Sequence, residues 1–367
     1  MPSFPHTAKA AIMTSPCKDL EIVEYPLPSV QEGCILVRIT CCTICGSDLH
    51  TWQGRRKTPL PVILGHEIVG VIVEMGRGVT HDSADKPLKS GDRITWTIMD
   101  NCGKCLNCRQ NGLMMKCRVL KKYGHDSCSE PPHFVGGFAE YCLISPGTCV
   151  IRLPDNITDE EASPANCTLS TAVAAWEAVK IRSFENVLIQ GAGALGIYAS
   201  ALAAHYGCKR VIVTDITNKR LNFIQNFGAT HTLNTSKMED NEIVNSILDL
   251  TNGNGVDVAM EAAGVPSLIP LGLSCLRIGG RYVGVGTVFS GANFTIDASD
   301  IVFRMLTIKG IHNYDTRHLQ MSIDFLTQSN AKFPFHSIVS HRVNLENINE
   351  GLKFAVSGEA IRVAVMP

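Results

Sequence analysis

Between residues 7 and 150 the apolar positions come in short runs broken by glycine and proline. Residues 35–39 (ILVRI) and 68–73 (IVGVIV) are aliphatic and β-branched, and Gly91-Asp92 supplies a turn signal. Many short strands of this kind predict a compact, mostly β domain. From about residue 166 the pattern changes. Residues 168–179 form an alanine-rich helical stretch, 187–190 a buried strand and 194–206 a helix. A second strand follows at 211–214 and a second helix at 219–227, and strands at 256–260 and 281–285 continue the alternation. Strands alternating with helices predict βαβ units and a parallel sheet. Residues beyond about 312 fall outside that rhythm and are expected to return to the first domain. The predicted organisation is a mostly β domain over 1–165, an α/β domain over 166–311, and a return over 312–367. No internal repeat, low-complexity tract or long linker interrupts it.

Composition narrows the class. A formal net charge of −1 leaves no bulk electrostatic case for nucleic acid or an anionic membrane as partner. No apolar run reaches the roughly 18–20 residues a bilayer span needs. The start, MPSFPHTAKAAIM, lacks the basic and apolar regions of a secretory signal. A cytoplasmic protein is the expectation, with a short organelle-targeting role for the first residues left open. The 15 cysteines would mean disulfides in a small secreted protein. In a long chain without an export signal they read as metal ligands and buried thiols. Five are ligands by spacing, and the other ten are expected as small apolar core residues.

Gly191-Ala192-Gly193-Ala194-Leu195-Gly196 directly follows a predicted strand and opens a predicted helix. Gly191 permits the tight turn, Gly193 lets the backbone approach a pyrophosphate, and Gly196 allows close helix–strand packing. The helix N-terminus, at Ala194 and Leu195, offers free N–H groups to phosphate. Asp215 ends the second strand, 19 residues beyond Gly196. That matches the roughly 20-residue spacing of a Rossmann dinucleotide site. A carboxylate there accepts hydrogen bonds from ribose hydroxyls and repels a 2′-phosphate, so NAD is favoured over NADP. Arg220 follows closely and softens that preference.

Cys102-x-x-Cys105-x-x-Cys108, followed by Cys117, is a four-thiolate signature within a lobe at about 100–118. Four thiolates around one zinc close its shell, so the expected role is structural. An iron–sulfur cluster, a redox thiol pair and a metal-free lobe are the alternatives.

Cys45-Gly46-Ser47-Asp48-Leu49-His50, followed by Gly65-His66-Glu67, places a thiolate, an imidazole, carboxylates and a hydroxyl–imidazole pair in one short stretch. Such a set can hold zinc at an open site and carry a proton away from it. Asp48 is expected to hydrogen-bond a ligand imidazole and set its tautomer. A rival reading makes Cys42-x-x-Cys45 a redox pair.

Together these motifs resemble the zinc-containing medium-chain alcohol dehydrogenases over essentially the whole chain. The polyol and threonine dehydrogenase branch is nearer than the liver-type branch. The resemblance implies a GroES-like catalytic domain, a Rossmann domain with a doubly wound parallel sheet, and a cleft between them. It implies two zinc ions per subunit. Cys45 and His66 become ligands of the catalytic one, with Cys167 as third ligand, taken from the ten presumed core cysteines. Glu67 resembles the carboxylate that approaches the zinc during ligand exchange; a salt-bridge role is the other reading. Ser47 takes the alcohol proton and passes it through the cofactor ribose to His50, whose ordinary pKa near 6.5 suits release. His312 and Asn313 are expected to touch cofactor.

Two departures stand out. The loop from Arg109 to Lys116 looks one residue longer than usual in the family, and residue 46 is glycine where the liver-type branch often carries a basic residue. Zinc-free reductases of the same superfamily lack the ligand triad. A dinucleotide-binding protein with a retired active site would not need Ser47 and His50.

Arg55, Arg56 and Lys57 lie between the first two ligands. A solvated basic turn is the commoner meaning of such a run, but it can also bind an anionic group. The stretches around His50–Arg56, Thr95–Ile98, Lys122–His125 and Gly310–Tyr314 look similar to alcohol dehydrogenases associated with phosphonate catabolism. The expected substrate is a small alcohol, such as a hydroxyalkylphosphonate, with a neutral or zwitterionic alcohol as the alternative. His125 reads as a loop histidine and Trp96 as core. Residues 281–287 and 303–310 are expected as strands near a sheet edge that pairs across a two-fold axis, giving a dimer or tetramer.

Overall fold

A computed structural model describes residues 5–367, so the first four residues of the N-terminal segment lie outside the described residues. The chain forms two compact units. The first comprises Met1–Cys167, Asp315–Gln328 and Phe335–Pro367, and the second Thr168–Tyr314 and Ser329–Pro334.

The first unit is built on a seven-stranded sheet. Its path runs Val339–Asn344, Arg362–Met366, Ile35–Thr43, Glu67–Met75, Arg93–Trp96, Val150–Arg152, with Tyr141–Ile144 also paired to Ile35–Thr43. Ile35–Thr43 and Glu67–Met75 run antiparallel, with Thr43 opposite Glu67. The C-terminal strand joins on the other side, with Ala364 opposite Thr43. A small sheet of Glu21–Pro26, Thr7–Met13 and Val62–Ile63 stands beside it. Aliphatic and aromatic side chains from these strands, including Ile39, Ile68, Trp96, Phe134 and Phe138, fill the core. Trp96 is fully buried, as expected for a core residue.

The second unit is a six-stranded parallel sheet in the order His231–Asn234, Arg210–Asp215, Asn186–Gln190, Val256–Glu261, Leu276–Gly284, Thr307–Gly310. Numbered along the chain this is 3-2-1-4-5-6, the doubly wound Rossmann order. The alternation predicted from 187 onward is realised with small shifts at element ends. The exception is residues 303–310. Phe303 ends a helix, Ala298–Phe303, and only Thr307–Gly310 is strand, while the preceding strand stops at Gly284. Asp297 caps that helix by accepting the Ser299 N–H at 2.8 Å, a local signal that outweighs the β-branched composition. No helix among the described residues is long and apolar enough to cross a membrane.

The cysteines outside the two metal-type groups are mostly buried, but Cys17 is exposed. It sits with positive φ (61°) at a turn after Pro16, so the surface geometry of the turn overrides its apolar character.

Candidate active site

The site is assembled by one carboxylate. Asp48 is fully buried on the helix Gly46–Trp52. Its Oδ2 accepts the Cys45 N–H at 2.9 Å, and its Oδ1 accepts the Gly65 N–H at 3.1 Å and meets His66 Nδ1 at 3.0 Å. It thereby holds the backbone before one ligand, the backbone of the other, and the imidazole itself. With Nδ1 engaged by Asp48, Nε2 is left for a metal. Ser47 Oγ lies 3.2 Å from that Nε2.

Cys167 arrives from the short 3-10 helix Ser163–Asn166, which is pinned to the strands that carry the other residues. Ser163 Oγ donates to the Glu67 carbonyl at 2.7 Å and accepts the Thr43 N–H at 3.1 Å. Asn166 Nδ2 donates to the carbonyls of His66 (3.0 Å) and Trp96 (2.8 Å). The ligand atoms of Cys45, His66 and Cys167 all lie within 4.8 Å of one another. Thiolates bound to one tetrahedral zinc stand ~3.8 Å apart, so the donor set and spacing fit zinc with one position open.

The local charges favour a cation. The Cys167 thiol hydrogen-bonds to Cys45 and, against burial and helped by Arg362, holds Cys45 well below the usual thiol range. Cys167, as donor to a thiolate, is pushed well up. Burial pulls His66 down, but the Asp48 carboxylate and the Cys45 thiol outweigh it and raise His66 to about 10. Binding of a divalent metal must therefore release protons.

Glu67 is fully buried and faces Arg362. Arg362 Nε and Nη2 meet the two carboxylate oxygens at 2.9 and 3.1 Å, and Nη2 also lies 3.8 Å from Cys45 Sγ. Thr43 Oγ1 donates to Glu67 at 2.6 Å. Burial raises the Glu67 pKa and Arg362 opposes it. The salt-bridge reading of Glu67 thus describes its position here. Sequence reasoning missed Arg362 and Asn166, and no local pattern could have pointed to them. Cys42 is unsuited to a redox pair. Its thiol is fully buried, and burial pushes its pKa well up.

His50 is half-buried on the same helix as Ser47, one turn further on. Burial, then Arg55, lowers its pKa, so it is neutral and able to accept a proton near pH 7. Arg55 is exposed and Arg56 half-buried, and both donate their backbone N–H to the His50 carbonyl. His125 is buried with its ring centroid 5.0 Å from that of His66.

In the lobe, the sulfurs of Cys102, Cys105, Cys108 and Cys117 all lie within 4.8 Å of one another. Backbone N–H groups of Arg118 and Cys108 lower Cys105 to about 6. Four convergent sulfurs with amide donors suit a tetrahedral metal.

In the second unit Gly191 has φ +113°, and a side chain there would press on Ala263. A Cβ on Gly196 would fall 1.9 Å from the Gly191 carbonyl oxygen, whereas one on Gly193 would meet nothing within 4 Å. The turn is thus closed on the protein side and open at Gly193, where a pyrophosphate would approach. Leu195 lies in the first turn of the helix Ala194–His205. Asp215 accepts the Ala192 N–H (2.8 Å) and the Thr217 N–H (2.9 Å), which holds it beside the turn with lone pairs to spare. Arg220 is half-buried on the following helix, and His312 is exposed after the last strand, at the same C-terminal end of the sheet.

Residues 31–155 match the alcohol dehydrogenase GroES-like domain and residues 194–328 the zinc-binding dehydrogenase domain. The chain is 31% identical over 362 residues to an L-threonine 3-dehydrogenase of Shewanella loihica, covering 97% of this chain and 98% of that one. The crystal structure of an alcohol dehydrogenase from Thermotoga maritima superposes with a TM-score of 0.93 at 30% identity, covering 98% of this chain and 99% of that one. A zinc-binding dehydrogenase from Sinorhizobium meliloti, solved bound to NADP, gives a TM-score of 0.86 at 26% identity, with coverage of 98% and 99%.

Proposed function

The chain belongs to the zinc-containing medium-chain alcohol dehydrogenases, and from that premise we propose that it oxidises a small, negatively charged alcohol with NAD, using two zinc ions per chain. The class, a zinc-dependent dehydrogenase that acts on CH–OH with a nicotinamide cofactor, follows from membership. The observation that carries the reading is the convergence of Cys45, His66 and Cys167 to within 4.8 Å.

A zinc held by these three residues supplies the Lewis acidity that acidifies an alcohol, and the nicotinamide supplies a hydride acceptor. The remaining work falls to side chains of this protein. Asp48 fixes the His66 tautomer. Ser47, beside His66 Nε2, takes the alcohol proton at Oγ. His50, three residues on along one helix face, accepts it onward because it is neutral near pH 7. Arg362 neutralises Glu67 and supports the Cys45 thiolate. Gly191, Gly193, Leu195 and Gly196 cradle the pyrophosphate, Asp215 receives the adenosine ribose, and His312 contacts the cofactor. The four-cysteine lobe holds the second, structural zinc.

Arg55 and Arg56 support an anionic substrate such as a hydroxyalkylphosphonate. The threonine dehydrogenases among the relatives favour a zwitterionic alcohol as the second reading. An exposed terminal strand, Thr307–Gly310, flanked by exposed Ile278, Val302, Phe303 and Met305, supports a dimer or tetramer through that edge. Free thiols at all 15 cysteines suit a reducing compartment such as the cytoplasm.

Metal analysis is expected to return about two zinc ions per chain, with NAD⁺-linked turnover of anionic alcohols. A protein that binds NADH but holds no zinc and turns over no alcohol would be a retired dinucleotide-binding protein, and the proposal would fall. Asp215→Ser tests cofactor choice. Wild type should prefer NAD⁺ by at least about tenfold in kcat/KM, and the variant should fall to about parity as Arg220 meets the 2′-phosphate. An unchanged ratio would remove Asp215 from the cofactor site.

A further inference from the structure

The chain leaving the four-cysteine lobe lies directly against the catalytic centre. Lys122 bridges to Met99, and the Tyr123 N–H donates to the Ile98 carbonyl at 2.9 Å. Gly124 then presses backbone onto backbone. A Cβ on it would fall 2.5 Å from the Gly65 carbonyl oxygen and 3.1 Å from His66 Cβ. The next residue, His125, places its ring 5.0 Å from His66. Thr58 Oγ1 donates to the His125 carbonyl at 2.6 Å, so the loop carrying Arg56 is tied to this segment.

Lys122 is therefore a lysine set inside the wall of the site, with only 9% of its surface exposed. Its pKa falls to about 8, first through burial and then through Arg56; the other charges acting on it are Cys167, Lys116 and Cys45. Arg56 lowers Lys116 as well. Asp126 accepts the Lys122 backbone N–H at 2.9 Å. Lys122 thus stands between the two thiolates of the centre and two further cations. A divalent zinc cancels the charge of those thiolates. With the metal bound, the wall presents Lys122, Arg56 and, at the exposed rim, Lys116 as a positive surface. Burial of an ammonium is unfavourable unless an anion meets it.

We propose that Lys122 and Arg56 form the subsite that holds the charged group of the substrate, and that this group is a tetrahedral dianion, a phosphonate or phosphate monoester. The inference rests on the anionic-alcohol reading above and adds a residue and a charge state to it. More than one cation around one small group matches a double negative charge better than a carboxylate's single one. The guanidinium of Arg56 suits bidentate contact with a tetrahedral oxyanion, and Lys122 acts as a buried point charge. Arg55, exposed and acting on His50, lies outside the subsite.

The test uses the full-length, zinc-loaded protein and two readouts. Calorimetry measures binding of methylphosphonate, with acetate as the carboxylate control. Steady-state kinetics compare hydroxyethylphosphonate, hydroxyethyl phosphate, glycolate and neutral ethylene glycol. Lys122→Met, which removes a buried charge without opening a large cavity, should weaken methylphosphonate binding and raise KM for both dianionic alcohols by at least about thirtyfold. The same variant should change KM for ethylene glycol by less than about threefold. Lys122→Arg should keep methylphosphonate affinity within about tenfold, and Arg56→Ala should weaken it by about tenfold. Equal losses for neutral and dianionic alcohols would overturn the proposal, as would methylphosphonate binding that Lys122→Met leaves unchanged, or acetate binding as tight as methylphosphonate. The two kinds of dianion separate in their kcat/KM values, which identify the source. Should wild type oxidise no alcohol at all, the dehydrogenase reading fails, and the calorimetry still decides the subsite.

Discussion

Cys45→Ala is expected to lower kcat/KM for alcohol oxidation by about a thousandfold or more, with NADH affinity unchanged within about twofold. The size follows from what the thiolate does. Cys45 is one of three donors within 4.8 Å, and it is the one whose thiolate is best stabilised, by Cys167 and Arg362. Removing it leaves two donors, and the Lewis acid that supplies several kcal/mol of transition-state stabilisation is lost with the metal. The glycine-rich turn and Asp215 belong to the second compact unit, which has its own parallel sheet and core, so dinucleotide binding does not depend on the thiolate. Zinc content should fall by about one ion per chain, because the four-cysteine lobe keeps a separate donor set. Activity remaining above about one hundredth of wild type would show that Cys45 is not a ligand of the working metal.

Arg362→Leu is expected to cost about 3–5 kcal/mol of stability, because it leaves the Glu67 carboxylate buried without its cation. Both groups are inside, with Glu67 at 0% and Arg362 at 8% exposure, so solvent cannot take over the missing charge. The double variant Glu67→Gln/Arg362→Leu should recover most of that loss, since no charge is then stranded. The pH dependence has a definite sign. Burial raises the Glu67 pKa even with Arg362 present, and removing Arg362 raises it further. A carboxyl with a raised folded-state pKa binds its proton more readily folded than unfolded, so its destabilising effect shrinks as pH falls. The penalty of Arg362→Leu should therefore be largest near neutral pH and diminish toward the ordinary carboxyl range. Denaturant unfolding of the single and double variants at two pH values checks this. A penalty independent of pH would mean that lost packing, not the stranded carboxylate, causes it.

These two positions mark where local pattern stops being informative. The Cys102–Cys117 lobe was legible because its four sulfurs lie within one short stretch, so spacing alone constrains them to one centre. Gly191 to Gly196 and Asp215 were legible because strand, turn and helix follow one another in a single βαβ unit, and the parallel order 3-2-1-4-5-6 puts the turn at the middle of the sheet. Cys45, Asp48 and His66 were legible for a similar reason. One helix and one strand start bring them together, and Asp48 ties their backbones. Residues 303–310 were misjudged because β-branched composition does not reveal the Asp297 cap that starts a helix just before them.

Other partners depend on chain segments that meet only after folding. Cys167 entered through resemblance, since periodicity places it in an apolar helical run. The hydrogen bonds of Ser163 and Asn166 to the strands carrying Glu67, His66 and Trp96 are what bring it to the metal position. Arg362 reaches Glu67 only because the last strand of the chain pairs beside Ile35–Thr43, which itself pairs with Glu67–Met75. Lys122 becomes a wall of the site because Gly124 allows backbone contact with Gly65 and His66. By itself the sequence determined the ligand types, the dinucleotide turn and the two-domain plan, because each is encoded within a short span of chain. Tertiary structure alone decided which buried charges stand next to the metal position, because β-pairing and close backbone contact join residues that no local periodicity connects.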